Sequence, residues 1–298
     1  MMPDVTVLTI AYRPGYIDTM VQALQAQSLD RERWEWVLVD DLWAQRKEAV
    51  ARHINGAFNF QHMPPREIKP YSATGIAINT GLAAARGKLV YFMADYMYPH
   101  PECLWRHWYI YTFCGPPEYK VLISGPIIDG ITCQGLSVWG LTPETLSKAW
   151  PVAVRVGDEV ISYNEHMPAL PVDIKDRAEV YTEDKAISIW AKPFIPQWPA
   201  TPGLDWRMGG FLLESRARAP DLFEFHGPAC SWFAGRNDSA DLELLKASGG
   251  LEEEPPGKHG GLETNWEQRM RDMGACYLVD QQAPAMILPH PTRKREFV

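Results

Sequence analysis

The feature that most constrains this chain is an alternation within its first 125 residues. Short apolar runs of strand length take turns with stretches whose apolar residues recur at helical spacing. Residues 5–10 (VTVLTI) are apolar and β-branched, which predicts a buried strand. Pro14 and Gly15 break it, and Ile17, Met20, Val21 and Leu24 then mark one face of a helix over 17–27. Residues 36–39 (WVLV) predict a second buried strand, ended by Asp40-Asp41 and followed by a helix over 44–53. Residues 58–62 read as a short third strand. A helix rich in small residues spans 72–86 and closes at Gly87. Residues 89–93 (LVYFM) form a strand ending at Asp95. A helix opens at Pro101 with Leu104, Trp105 and Trp108 facing inward, and residues 121–123 form a further strand. This β-α-β-α series predicts an α/β fold, a mainly parallel sheet with helices on both faces. Its crossovers are right-handed, and ligands in such sheets lie beyond the C-terminal ends of the strands. Tyr12, Asp41 and Asp95 all stand at such ends and are expected to converge on one crevice.

Beyond residue 125 the pattern loosens. Twelve tryptophans and 25 prolines are unusual in 298 residues, and many fall between Trp139 and Trp206. No regular helix accommodates that stretch, and its aromatics offer flat binding surfaces. Regularity returns with a strand over 225–233 (FHGPACSWF), a helix over 239–246, the acidic loop LEEEPPGKHGG, a helix over 262–273, and strands over 276–279 and 286–288. Three segments follow: 1–125, an irregular Trp/Pro-rich elaboration at 126–225, and 226–298. The net charge of −8 argues against a broad phosphate-binding face for nucleic acid. Five scattered cysteines with no CxxC pair read as reduced, buried thiols. The N-terminus lacks the pattern of a signal peptide, and no apolar run approaches the ~20 residues that span a bilayer. A soluble, cytoplasmic protein with no transmembrane segment is expected.

Several stretches, in order, carry a likeness. VTVLTIAYRPGYIDTMVQALQAQS is a strand, a Tyr-containing turn and a helix. EWVLVDD ends a strand in paired aspartates. AINTGLAAARGKLVYF combines a helix, an Ala-Arg-Gly turn and a strand, and YPHPECL follows. These resemble family 2 glycosyltransferases of the GT-A fold. GGLETNWEQRMRDMG is similar to the Gly-Gly-Glu-Asp helix of the galactosyltransferase and polypeptide N-acetylgalactosaminyltransferase type. The likeness spans about the first 125 and last 75 residues. It implies a Rossmann-like nucleotide-sugar-binding half, an acceptor side in the elaboration, and a C-terminal catalytic half. It also implies transfer of a sugar from a nucleotide-diphosphate sugar such as a UDP-sugar to a hydroxyl acceptor, with inversion.

The resemblance assigns roles. Ala11, Tyr12 and Arg13 form the first turn, where Tyr12 can stack on a base. Asp41 matches the second aspartate of the pair, and a carboxylate there can accept hydrogen bonds from a nucleobase imide or a ribose hydroxyl. Asn79 and Gly81 lie on the small-residue helix, packed against sheet or nucleotide, with Arg86 at its end. The family's Asp-x-Asp motif falls on Ala94-Asp95-Tyr96, so both outer aspartates are replaced. Asp95 remains as a ligand for Mn²⁺ or Mg²⁺ bridging the diphosphate, with His290 as a second metal ligand; alternatively Tyr96 and a cation such as Lys69 or Arg13 steady the phosphates. Glu263 matches the general base, which takes the acceptor proton; the family's next acid falls on Thr264. Glu267 is the fallback base. His226, Trp232 and the tryptophans of the elaboration are further candidates on the acceptor side.

The acceptor stays open among a glycan, a lipid-linked glycan and a hydroxymethylated DNA base. An inactive nucleotide- or sugar-binding protein is the alternative from a different class. A nucleotidyltransferase fits less well, because the AYRPGY turn lacks the Gly-rich, Lys-bearing phosphate loop.

Overall fold

The computed structural model describes residues 2–12, 16–68, 74–114, 120–129, 152–156, 159–163, 222–224, 236–253, 261–280 and 282–287. The first run is β1 (Val5–Ala11), α1 (Ile17–Gln25), β2 (Trp34–Asp40), α2 (Trp43–Ile54), β3 (Phe60–Met63), α3 (Thr74–Ala84) and β4 (Leu89–Phe92). Then come β5 (Met97–Pro99), α4 (Cys103–Tyr109) with a π turn over Ile110–Cys114, β6 (Val121–Ser124) and β7 (Ile127–Asp129). β8 (Val152–Val156) and β9 (Glu159–Tyr163) pair as an antiparallel hairpin. The remainder is β10 (Leu222–Glu224), β11 (Asp238–Asp241), α5 (Leu242–Ala247), α6 (Leu262–Asp272), β12 (Cys276–Asp280) and β13 (Ala285–Ile287).

Eight strands make one mixed, mostly parallel sheet in the order β10-β12-β6-β11-β4-β1-β2-β3. β3, β2, β1 and β4 run parallel to their neighbours, β12 runs parallel to β6, and β11 and β10 are reversed. β5, β13 and β7 form a small second sheet. β1, β2, β4 and β6 are mainly apolar because both faces of the sheet are covered, and successive residues serve opposite layers. Leu8, Val37, Val39, Val90 and Phe92 pack with α3, α5 and α6 (Ile78, Leu82, Leu245, Trp266, Met270). Val7, Trp36, Leu38 and Tyr91 pack with α1, α2 and α4 (Met20, Leu24, Val50, Leu104). Each such side chain contributes about 1.5–3 kcal/mol on leaving water.

Two expectations are corrected. Residues 239–246 are not one helix: β11 is a central strand, and α5 begins only at Leu242, capped by the Asp241 carboxylate accepting from the Leu244 N–H at 2.8 Å. Asp-Ser-Ala-Asp is a poor strand former by propensity, but pairing on both sides, with β4 and β6, overrides that preference. Trp105 faces outward, 38% exposed, stacked on Tyr109 at 5.1 Å, while Leu104 faces the core. The helix presents only a narrow inner stripe, and Trp105 is adjacent to Leu104 in sequence, hence rotated away from it. Among the described cysteines Cys103 is buried, Cys276 partly buried and Cys114 exposed, all as free thiols.

β11 enters the sheet through Asn237, which is fully buried in a left-handed conformation (φ 55°). Its amide donates to the Pro126 and Ala283 carbonyls at 3.0 and 2.8 Å, and it accepts from the Tyr91 hydroxyl at 2.8 Å. Gly125 is required beside it: a Cβ there would stand 1.9 Å from the Ala283 oxygen. Asn237→Ala would strand these three partners and place alanine at positive φ. We expect a loss of about 3 kcal/mol in urea unfolding; an unchanged midpoint would show that Asn237 does not hold the strand.

Candidate functional site

Parallel register brings the predicted residues to one edge. Ala11, the buried last residue of β1, stands opposite Asp40 of β2, and the Asp41 N–H donates to the Ala11 carbonyl at 2.9 Å. On the other side of β1, Leu8 is level with Phe92, so Asp95 follows β4 by as many residues as Ala11 follows Leu8. Tyr12 and Asp41 are partly exposed beyond the strand ends, and Asp95 is buried in the turn after β4. α6 precedes β12 with only a short turn between, so it runs back over the sheet, and its N-terminus lies at this same edge. Glu263, in its first turn, is partly exposed. Gly261 before it has φ 80°, a turn that a side chain would strain.

The paired aspartates have different tasks. Asp40 is fully buried. Its carboxylate meets Arg46 through two hydrogen bonds of 2.7 Å, His62 Nε2 at 2.8 Å and the Leu42 N–H at 2.8 Å. Burial alone would raise its pKa, but the Arg46 charge and the bonds from His62 and Arg46 outweigh that and hold it at about 2. The network anchors the end of β2 and leaves Asp41, one residue on, turned to the partly exposed edge.

Asn79 and Gly81 fall in packing contacts. The Asn79 amide donates to the Leu251 carbonyl at 2.9 Å and accepts from the Leu251 N–H at 3.1 Å, tying α3 to the segment after α5. A Cβ on Gly81 would lie 2.2 Å from Leu8 Cδ1, so the glycine serves the approach of α3 to β1. Arg86 donates from Nε to the buried Glu35 at 2.7 Å. Glu267 is fully buried and paired with Arg271 at 2.6 Å, which leaves Glu263 as the carboxylate of α6 that solvent reaches in its first turn. Arg13, Lys69, His226, Trp232, His290 and the tryptophans of the elaboration lie outside the described residues.

Among the described residues the carboxylate that the acidic motif leaves for a diphosphate-bridging cation is Asp95. Among the described residues no three His, Cys, Asp or Glu side chains gather into a metal-binding group. The described residues therefore do not fit a metal centre built by the protein, although a hard cation that leans on substrate phosphates needs as few as one carboxylate. Sequence reasoning missed Arg236. Its guanidinium lies over the buried ring of Tyr96, the residue after Asp95, at 5.3 Å from the centroid. The only sequence signal was a cation two residues before a strand that was itself misassigned. Among the described residues no helix is long and apolar enough to cross a membrane.

A mixed, mostly parallel sheet with helices on both faces and one reversed strand beside β4 matches the GT-A fold. The solved structures bear this out. The chain superposes on S. aureus TarS 1-349 with a TM-score of 0.51 at 13% identity, over 96% of this chain and 60% of that one. For TarS 1-349 in complex with UDP-GlcNAc the TM-score is 0.50 at 10% identity, over 98% and 62%. For the longer S. aureus TarS it is 0.50 at 11% identity, over 97% and 37%. At these identities the likeness is one of fold, and the chain spans at most about three fifths of those proteins. No family model matches the sequence, and no curated protein does either.

The Asp40 network gives a pH-dependent prediction. Its folded pKa of about 2 lies below the ordinary 3.8, so its contribution is complete above about pH 4 and is lost as pH falls through about 2. Asp40→Asn should cost about 2 kcal/mol near neutral pH. The gap in Tm between wild type and variant should close across that acid window. A gap independent of pH would show that the Asp40 charge contributes nothing.

Proposed function

We propose that the chain transfers a sugar from a nucleotide-diphosphate donor to a hydroxyl acceptor, with inversion at the anomeric carbon. What supports this is a GT-A fold in which Tyr12, Asp41 and Asp95 follow the C-terminal ends of adjacent parallel strands and Glu263 stands in the first turn of α6. Tyr12 stacks on the base, and Asp41 accepts from the base or the ribose. Asp95 and its neighbours face the diphosphate. TarS 1-349 has been solved with UDP-GlcNAc, which makes UDP-sugars the first donors to test. The acceptor hydroxyl is a weak nucleophile. As its oxygen bonds to C1, Glu263 takes its proton and the C1–O bond to the diphosphate breaks on the opposite face. Residues 126–225 would form the acceptor side.

Two substitutions test the two halves of this assignment. Asp41→Ala should weaken binding of the UDP-sugar by about 1.5–3 kcal/mol in calorimetry, at unchanged Tm; equal affinity would take Asp41 out of the donor site. Glu263→Gln keeps the shape and one acceptor oxygen but cannot take up a proton. Turnover should fall ~10²–10⁴-fold while donor affinity holds. A structural glutamate would give the reverse, a lower Tm with activity per folded molecule preserved.

A further inference from the structure

We propose that Arg236 is the cation that binds the donor's diphosphate, standing where the replaced acidic motif would otherwise recruit a metal; this rests on the chain being a glycosyltransferase. In Ala94-Asp95-Tyr96 the outer acids have become a methyl group and a phenol. Tyr96 is 4% exposed, so it is a fixed aromatic surface rather than a free ligand. The guanidinium of Arg236 lies over that surface, 5.3 Å from the ring centroid, and Arg236 remains partly exposed.

Position and rigidity both support the assignment. β11 pairs with β4 so that Asp238 is opposite Phe92, which sets Arg236, two residues earlier, at the level of Ala94. That is the edge where β1, β2 and β4 end, beside Asp95. The main chain at 236 is held on several sides. The Arg236 N–H donates to the buried Asp238 carboxylate at 2.9 Å, and Asp238 also accepts from the Ser124 hydroxyl at 2.5 Å. The next residue is Asn237, clamped by Pro126, Ala283 and Tyr91. A guanidinium offers planar, paired donors that match phosphate oxygens, and the aromatic face beneath it limits the side-chain freedom lost on binding. As the C1–O bond to the donor breaks, negative charge grows on the departing nucleoside diphosphate, and a cation fixed there stabilises that charge.

Calorimetry with UDP, GDP, uridine and guanosine, in EDTA and then with Mn²⁺, tests this on wild type, Arg236→Ala and Arg236→Lys, each with its Tm. Wild type should bind a nucleoside diphosphate in EDTA. Arg236→Ala should lose about 10–100-fold in affinity for that diphosphate while its affinity for the matching nucleoside stays the same. Arg236→Lys keeps the charge but not the fork, and should fall between the two. Wild-type diphosphate affinity in Arg236→Ala at wild-type Tm overturns the assignment alone. So does an equal loss for nucleoside and diphosphate with a lowered Tm, the pattern of a purely structural arginine, and so does a wild type that binds diphosphate only with Mn²⁺. A wild type that binds neither diphosphate in either condition overturns the glycosyltransferase proposal itself, and this inference with it.

Discussion

The insertion of β11 between β4 and β6 is the constraint on which the rest of the structure depends. A strand from the C-terminal part of the chain is hydrogen-bonded on both edges to strands from the N-terminal part, so the two cannot form separate sheets. The insertion is secured by polar contacts in a place where burial would punish any unmade bond. Asn237 uses both ends of its amide and adopts a backbone conformation that asparagine tolerates better than most residues. Gly125 allows the Ala283 carbonyl to pass at a distance no side chain would permit. The same contacts join the main sheet to the small sheet of β5, β13 and β7, since Pro126 and Ala283 lead into β7 and β13.

β2 carries the electrostatic counterpart. It holds two fully buried carboxylates, Glu35 near its start and Asp40 at its end. Each is neutralised by an arginine from a different element, Arg86 after α3 and Arg46 in α2. Removing either arginine would leave an uncompensated carboxylate in a low-dielectric interior, so such pairs weigh more as registration devices than as net stabilisers. Glu35 also accepts from the Thr6 hydroxyl at 2.8 Å, and Gly87 comes so near Thr6 that a Cβ would stand 2.4 Å from its backbone nitrogen. β1, β2 and the turn into β4 are thereby locked at one edge, which fixes where their other ends emerge. A functional site at those ends would rest on a rigid base of this kind.

Much of this was legible in the sequence, for identifiable reasons. Strands buried on both faces appear as apolar runs, so β1, β4 and β6 were found to within a residue and β2 in its central four residues, and with them the strand ends that Tyr12, Asp41 and Asp95 follow. β11 was not legible. Asp-Ser-Ala-Asp has neither the apolar run nor the β-branched residues of a strand, and its state is decided by neighbours about 115 and 150 residues away in sequence. The division of labour between Asp40 and Asp41 was likewise hidden, because Arg46 and His62 reach Asp40 only after α2 and β3 have packed. Arg236 follows from the same blind spot, since its place over the Tyr96 ring exists only once β11 is in the sheet.

That dependence has a consequence for how the site is built. A metal-binding acidic motif is local: its carboxylates sit on one turn after one strand and can hold a cation whatever the rest of the chain does. A guanidinium supplied by β11 to a phenol after β4 is not local, because the two meet only through the long-range pairing of Asp238 with Phe92. If Arg236 holds the diphosphate as proposed, the ligand would bridge the N-terminal strands and the inserted C-terminal strand. Donor binding then favours the state in which that insertion is complete. Glu263 belongs to the same C-terminal part of the chain, on α6, whose Trp266 packs edge-on against Phe92 with centroids 5.9 Å apart. The Arg236–Tyr96 contact, in the turn after β4, and the helix that carries Glu263 thus both depend on β4. On the proposed assignment, a donor that tightens one of them would bear directly on the position of the other.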